Sequence, residues 1–429
     1  MKVQLKRKKN LPKKITRKKS KNDCMSNMKI DNNKGCGKVI STPLFHTFFI
    51  HFLWVSVSLL TTLGYADTEI RGLWVVRDSI VSRSMVEQVV NFADSSGFNV
   101  LFVQVRGRGD AYYRSNFVPG PEEFPYIPDT FDPLATVIEL AHARGIEVHA
   151  WFNMYLTWSE DKNPLNPLHI VNTHPGWFMV SINGVSMADC PMESIRNHTI
   201  VGRYISPGLE EVRSYLSRVI TEVLVRYNID GVHMDYIRYP GRSHDFHDRI
   251  RQHYKRRYGV DPVAVVLDGA NIDVTMRYLE KWVDYRSDQI DTQVRSVARR
   301  IKIVNKDICL SAAVKPDVSE AYYEFGQNWA GWLREEIVDF VVTMSYFPET
   351  AWVEDVLNDS LKNVDRKKVL GGIGAYKLTP GETADQIKLM RNMGLMGYCI
   401  FSYTTLNSPH FAESLKALTG PGTSGQEGK

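Results

Sequence analysis

Asn228-Ile229-Asp230-Gly231-Val232-His233-Met234-Asp235-Tyr236-Ile237-Arg238-Tyr239-Pro240 is the stretch whose reading decides the fold. In a strand, alternate side chains share a face, so His233 and Asp235 point one way and Val232 and Met234 the other. With Val232 and Met234 packed on helices, His233 and Asp235 face the interior of a closed sheet. Asp235 then stands at the carboxyl end of a parallel strand, where barrels carry their chemistry, and Asp230 lies roughly 16 Å away at the opposite end. Asp235 is read as functional and Asp230 as structural. A strand-end Asp can also do no more than cap the following loop.

Working outward, short β-rich runs alternate with helical patterns from Glu69 onward, the arrangement that gives a parallel sheet. Eight strands are predicted: 70–76, 100–106, 147–153, the opening stretch, 308–314, 340–346, 369–375 and 397–403. Insertions interrupt the rhythm after strand three, at 154–206, and after strand four, at 241–273. The first, with Trp158, Trp177 and Phe178, has the size of a functional lid. Eight right-handed βα units close into an α/β (β/α)8 TIM barrel. An open doubly wound sheet is the competing arrangement. It would call for a phosphate-binding GxGxxG at its first turn, and Gly107-Arg108-Gly109 is a weak match.

Barrel interiors normally hold Val, Ile and Leu, and several inward positions here do not. Gln104 and Arg106 share a face on strand two, His149, Trp151 and Asn153 on strand three, and Thr343 and Ser345 on strand six. Trp74, Tyr155, Tyr236, Lys315, Tyr346, Tyr376, Lys377 and Tyr403 stand at or near strand ends. Each has a plain alternative, a hydrogen-bonded core histidine or a packed core ring. Their convergence on one rim points instead to a ligand, because buried polar groups are costly unless paired. Aromatic rings can cover sugar faces while two carboxyl groups do acid/base or nucleophilic work. The carboxylates on offer are Asp235, Asp110 and Glu349, with Asp317 in reserve. Two other readings stay open. One is a metal-dependent polysaccharide deacetylase using His149, His233 and Asp235, although close-spaced metal motifs are absent. The other is a glycan-binding barrel without catalysis.

The net charge of +5 hides an asymmetry. Residues 1–66 hold 14 Lys/Arg and 2 Asp/Glu, leaving the rest of the 429-residue chain near −7. Such a body has no footprint for a phosphate backbone, so nucleic acid is not an expected partner. The basic head precedes an apolar run, Phe48 to Leu60, and then Gly64-Tyr65-Ala66, the order of a secretory signal. Cleavage after Ala66 is expected, with no stable membrane span thereafter and a secreted, periplasmic or cell-envelope location. The expected domains are therefore 1–66, a barrel at 67–419 and a disordered Gly/Ser/Pro-rich tail at 420–429. Cys190, Cys309 and Cys399 show no metal or disulfide spacing, and neither a metal nor another cofactor is expected.

These motifs together resemble the glycosyl-hydrolase-like family 10. They are Arg71-Gly72-Leu73-Trp74-Val75, Val103-Gln104-Val105-Arg106 followed by Gly109-Asp110-Ala111-Tyr112-Tyr113, and Phe131-Asp132-Pro133-Leu134. Further on come Glu147-Val148-His149-Ala150-Trp151-Phe152-Asn153, Pro207-Gly208, Asp230 to Tyr236, and Gly372-Ile373-Gly374-Ala375-Tyr376-Lys377. The similarity spans about Glu69 to Leu418. It implies a barrel glycoside hydrolase of the bacterial envelope, with peptide-free peptidoglycan strands as substrate and Asp235 as the strand-four carboxylate.

Overall fold

The computed structural model describes residues 69–122, 130–267 and 272–412. The expected signal segment and cleavage point, Cys24, Cys36 and the expected disordered tail at 420–429 lie outside the described residues. Eight parallel strands close into a barrel. They are β1 (Ile70–Val75), β2 (Val100–Arg106), β3 (Glu147–Asn153), β6 (Gly231–Asp235), β7 (Cys309–Val314), β8 (Phe340–Met344), β9 (Val369–Gly374) and β10 (Gly397–Phe401). β10 pairs with β1 and closes the ring. β4 (Leu156–Trp158) and β5 (Arg203–Tyr204) form a small antiparallel sheet inside the segment that follows β3.

The helices that bear on the site follow the strands along the chain. They are α1 (Arg83–Ser95), α2 (Pro133–His142), α3 (Glu210–Arg226), α4 (Asp248–Tyr258), α5 (Ile272–Val304), α6 (Val318–Phe325), α7 (Thr350–Ser360), α8 (Pro380–Asn392) and α9 (Tyr403–Leu406). Local chemistry sets their starts. Ser82, Asp132 and Asp317 accept backbone N–H groups as N-caps, and Thr379 with Glu382 forms a reciprocal capping box.

The period-two alternation of the strands builds two apolar layers. Val232 and Met234, with Leu101, Val103 and Val341, join the outer layer beneath the helices. Trp74, Phe102, Trp151, Phe340, Val342 and Cys399 fill the barrel interior. Asp230, at the amino-terminal end of β6, accepts the Val148 N–H and contacts the His142 ring, both at 2.7 Å.

Three strand expectations are corrected. β2 carries a bulge, so Gln104 sits opposite Trp151 but Arg106 sits opposite Phe152 and leaves the interior face. On β8 the phase is shifted by one. Phe340, Val342 and Met344 face inward, while Thr343 and Ser345 face outward, where the Ser345 hydroxyl donates to the Thr343 hydroxyl at 3.0 Å. At the end of β10 the strand stops at Phe401 and α9 starts at Tyr403, so the alternation that would have turned Tyr403 inward has already ended.

Candidate active site

The carboxyl ends of the strands surround a cleft of about 380 Å³. Its floor is aromatic: Trp74 from β1, Trp151 from β3, Tyr346 beyond β8 and Phe401 from β10. The ring centroids of Trp74, Tyr346 and Phe401 lie 6.0–6.3 Å apart, at distances where edge and tilted contacts are favourable. Tyr376 continues the cluster outward at 6.1 Å from Tyr346 and 6.0 Å from Phe401, and is 53% exposed. Two inward glycines on β9 make room for these rings. A Cβ at Gly372 would come within 3.0 Å of Trp74, and one at Gly374 within 2.9 Å of Tyr346.

Asp235 is the only Asp or Glu among the residues lining this cleft. Its Oδ1 accepts the Tyr236 N–H at 2.6 Å and an Arg238 guanidinium N–H at 3.0 Å. Its Oδ2 has no partner among the described residues. Tyr236 adopts φ 48°, the left-handed turn that ends β6 and aims its N–H back at Asp235. Burial pulls the Arg238 guanidinium down, but Asp235, Tyr204 and Tyr236 outweigh it and the net shift is upward. Burial, then the Asp235 charge, pushes the Tyr236 hydroxyl up to about 12 and drives Tyr346 well above its ordinary value. Both phenols are therefore neutral hydrogen-bonding groups across the working range.

His233 lies directly under the cleft. Trp74 donates its indole N–H to His233 Nε2 at 3.3 Å, and Nδ1 meets the Ser311 hydroxyl at 2.9 Å. Nε2 is the acceptor, so the proton sits on Nδ1. Burial, then His149, lowers the His233 pKa far below the ordinary histidine value, keeping the ring neutral. Asn153 accepts the Trp151 indole N–H at 3.0 Å and donates to the Gly107 carbonyl at 2.9 Å, tying the floor to the loop after β2.

Eight of the expected residues thus line one cleft: Asp235, Trp74, Gln104, Trp151, Asn153, Tyr236, Tyr346 and Tyr376. Lys315 stands beside it, its ammonium 4.7 Å over the Phe325 ring. Burial, then Arg238, holds its pKa below that of an ordinary lysine. The others lie elsewhere. Arg106 donates to the Asn153 and Met154 carbonyls in the outer layer. His149 is deep in the barrel, against Phe102 and Phe340. Tyr155 is wholly buried outside the lining, and Tyr403 packs edge-on against Phe92 of α1 at 5.3 Å. Asp110 is buried and accepts the Arg108 N–H at 2.7 Å. Glu349 is exposed at the start of α7. Neither lines the cleft.

His149, His233 and Asp235 do not form a ligand set, because both ring nitrogens of His233 are engaged by Trp74 and Ser311. No group of three or more His, Cys, Asp or Glu among the described residues is placed to hold a metal. Nor is any helix among the described residues long and apolar enough to cross a membrane.

The sequence reading missed Arg77, Arg108 and Phe401. Arg77 follows β1 and donates to the Gln104 side-chain carbonyl at 3.1 Å. Its signal was Gln104, an inward amide needing a donor. Arg108 reaches the cleft from the loop after β2 and forms an ion pair with Glu160 of the segment after β3. Leu156, Ser159 and Val201 of that same segment form one wall.

The chain is 26% identical over 391 residues to Glycosyl hydrolase YngK of Bacillus subtilis (strain 168), covering 80% of this chain and 69% of that protein. It is 28% identical over 337 residues to Glycosyl hydrolase DigH of Escherichia coli (strain K12), covering 70% and 67%. Among solved structures, the PgaB (BpsB) glycoside hydrolase domain from Bordetella bronchiseptica shares the fold, with TM-score 0.60 over 82% of this chain and 99% of that one at 14% identity. The family profile of Glycosyl hydrolase-like 10 matches residues 69–386, and the chain belongs to that family.

Proposed function

We propose that the protein is an exported glycoside hydrolase of the bacterial envelope, acting on peptide-free peptidoglycan strands with Asp235 as nucleophile or general base. The observation that carries this reading is a single carboxylate, half engaged and half open, above an aromatic floor. Arg238 and the Tyr236 N–H serve Oδ1 and fix the orientation of the group. Oδ2 is left for the anomeric carbon or for a water that attacks it. Trp74, Trp151, Tyr346, Tyr376 and Phe401 offer faces and edges to sugar rings, and Arg77 and Arg108 offer donors to acidic substituents.

The lone carboxylate of the lining also favours a second reading, a barrel that binds glycan without cleaving it. Asp235→Asn separates the two. Hydrolysis requires turnover of purified peptide-free strands to fall roughly 10²–10⁴-fold while binding and melting temperature hold. Equal turnover by a folded variant removes Asp235 from the mechanism, and absence of turnover in the wild-type protein favours the binding barrel.

Export rests on the basic head, the apolar run and Gly64-Tyr65-Ala66. Amino-terminal sequencing of the protein from the envelope fraction should begin at Asp67; recovery from the cytoplasm alone contradicts export.

A further inference from the structure

A second recess, of about 450 Å³, opens between the lead-in to α3, α4 and α5. It shares no lining residue with the cleft. Arg213, Arg249 and Arg256 line it against one acid, Glu210, together with His253, Gln252 and Gln289. Arg213 donates to the Pro207 carbonyl at 2.6 Å and to Gln289 at 3.3 Å, and Arg249 pairs with Glu211. Arg256 is exposed and has no partner among the described residues. The recess is set in a basic helix: α4 holds Arg249, Arg251, Lys255, Arg256 and Arg257 against the single acid Asp248, on a body whose net charge is near −7. A concentration of unlike charge on an acidic body draws an anion locally.

The Pro207-Gly208 pair, which the cleft leaves unexplained, belongs here. A Cβ on Gly208 would come within 2.3 Å of Ile250 Cδ1, so the bare glycine gives the Ile250 side chain of α4 its seat over the lead-in to α3. The same step presents the Pro207 carbonyl to Arg213.

We propose that this recess is an accessory binding site for a carboxylate-bearing polysaccharide. Guanidinium groups bind carboxylates as paired donors, and the exposed Gln252 amide supplies a donor and an acceptor for sugar hydroxyls. A concave, hydrogen-bonding recess whose aliphatic side chains are confined to Leu209 and Ile250 suits a hydrated chain better than a lipid surface. Naming the polymer as the acidic, peptide-free strand rests on the reading of the cleft given above. The site then holds one part of a long strand while the cleft works on another.

The test is affinity electrophoresis of the exported protein, from Asp67 onward and without the basic head, through gels containing polygalacturonate or its neutral methyl ester. Polygalacturonate should retard the protein in a salt-sensitive way, and the ester should not. Arg256→Glu should weaken retention about tenfold, Arg256→Lys should restore most of it, and Tyr376→Ala, which alters the rim of the cleft, should leave it unchanged. No retardation of the wild-type chain, or equal retardation of Arg256→Glu, overturns the proposal. So does loss of retardation in Tyr376→Ala, which would place the polymer in the cleft. Arg256-dependent binding to phosphatidylglycerol vesicles without polymer binding overturns it in favour of a membrane surface. If retention behaves as expected while peptide-free strands are not hydrolysed, the recess stands and the reading of the cleft fails.

Discussion

Single residues in this barrel differ in what they risk when removed, and burial decides which way. Trp151 and Tyr376 are both aromatic members of the cleft, yet Trp151 is 3% exposed and Tyr376 is 53% exposed. Deleting the Trp151 ring opens a cavity and orphans the Asn153 acceptor, so Trp151→Ala should cost about 3–5 kcal/mol of stability. Tyr376→Ala removes a ring that mostly faces solvent and should change stability by about 0.5 kcal/mol or less. If Tyr376 covers a sugar face, the same substitution should weaken glycan binding roughly tenfold, which is about 1.4 kcal/mol. Calorimetric binding and a melting curve on both variants check this. Equal affinity of Tyr376→Ala and wild type would show that the ring is only a surface group. His233 shows the opposite case, a residue with chemistry in its side chain that spends both nitrogens on Trp74 and Ser311. From the sequence it could be placed on the inner face of its strand but not given a depth, and depth separates a group that touches substrate from one that holds the floor in place.

At the level of elements, what was legible followed from local periodicity. Val232 and Met234 against His233 and Asp235 is a two-residue alternation, and the strand kept it to the last residue. Alternation fails wherever the backbone changes its step. The bulge after Gln104 turned Arg106 outward, and the onset of α9 at Tyr403 left Phe401 as the last inward side chain. Neither event has a Gly or Pro to mark it. The register of β8 was ambiguous for another reason: with Val341, Val342 and Met344 all apolar, the run from Phe340 reads as buried on both faces, and polarity alone could not phase Thr343 and Ser345. The two glycines of β9 carried a clearer message. Gly372 and Gly374 occur where a strand would prefer β-branched residues, and the volume they leave vacant is occupied by Trp74 and Tyr346.

The whole molecule combines a barrel made from successive local units with two excursions that meet each other far along the chain. The first is readable in order, because each strand and its return helix are neighbours in sequence. The second is not. The segment after β3 and the one after β6 are joined by a Ser181–His244 bridge, by Phe246 N–H to the Val180 carbonyl at 2.8 Å and by Ile182 N–H to the Ser243 carbonyl at 2.9 Å. Asp245 is buried at this junction, and its Oδ1 accepts the N–H groups of Val180 and His247, both at 3.2 Å. Burial raises its pKa, and the nearby Ser206 hydroxyl, with the N–H groups of Val180 and His247, opposes that rise. Nothing in the local sequence around Val180 names a partner some sixty residues away, so the junction had no signature. It should behave as a unit of its own, with a stability below that of the closed barrel. Asp245→Ala leaves the half-buried Val180 and His247 N–H groups without their acceptor, at about 1 kcal/mol each. Hydrogen exchange should then show residues 178–187 and 243–247 losing protection together while the barrel strands keep theirs, and Asp245→Asn, which retains an acceptor oxygen, should lose much less. Uniform loss across barrel and excursions would mean that the two unfold as one cooperative body and that Asp245 supports the entire fold.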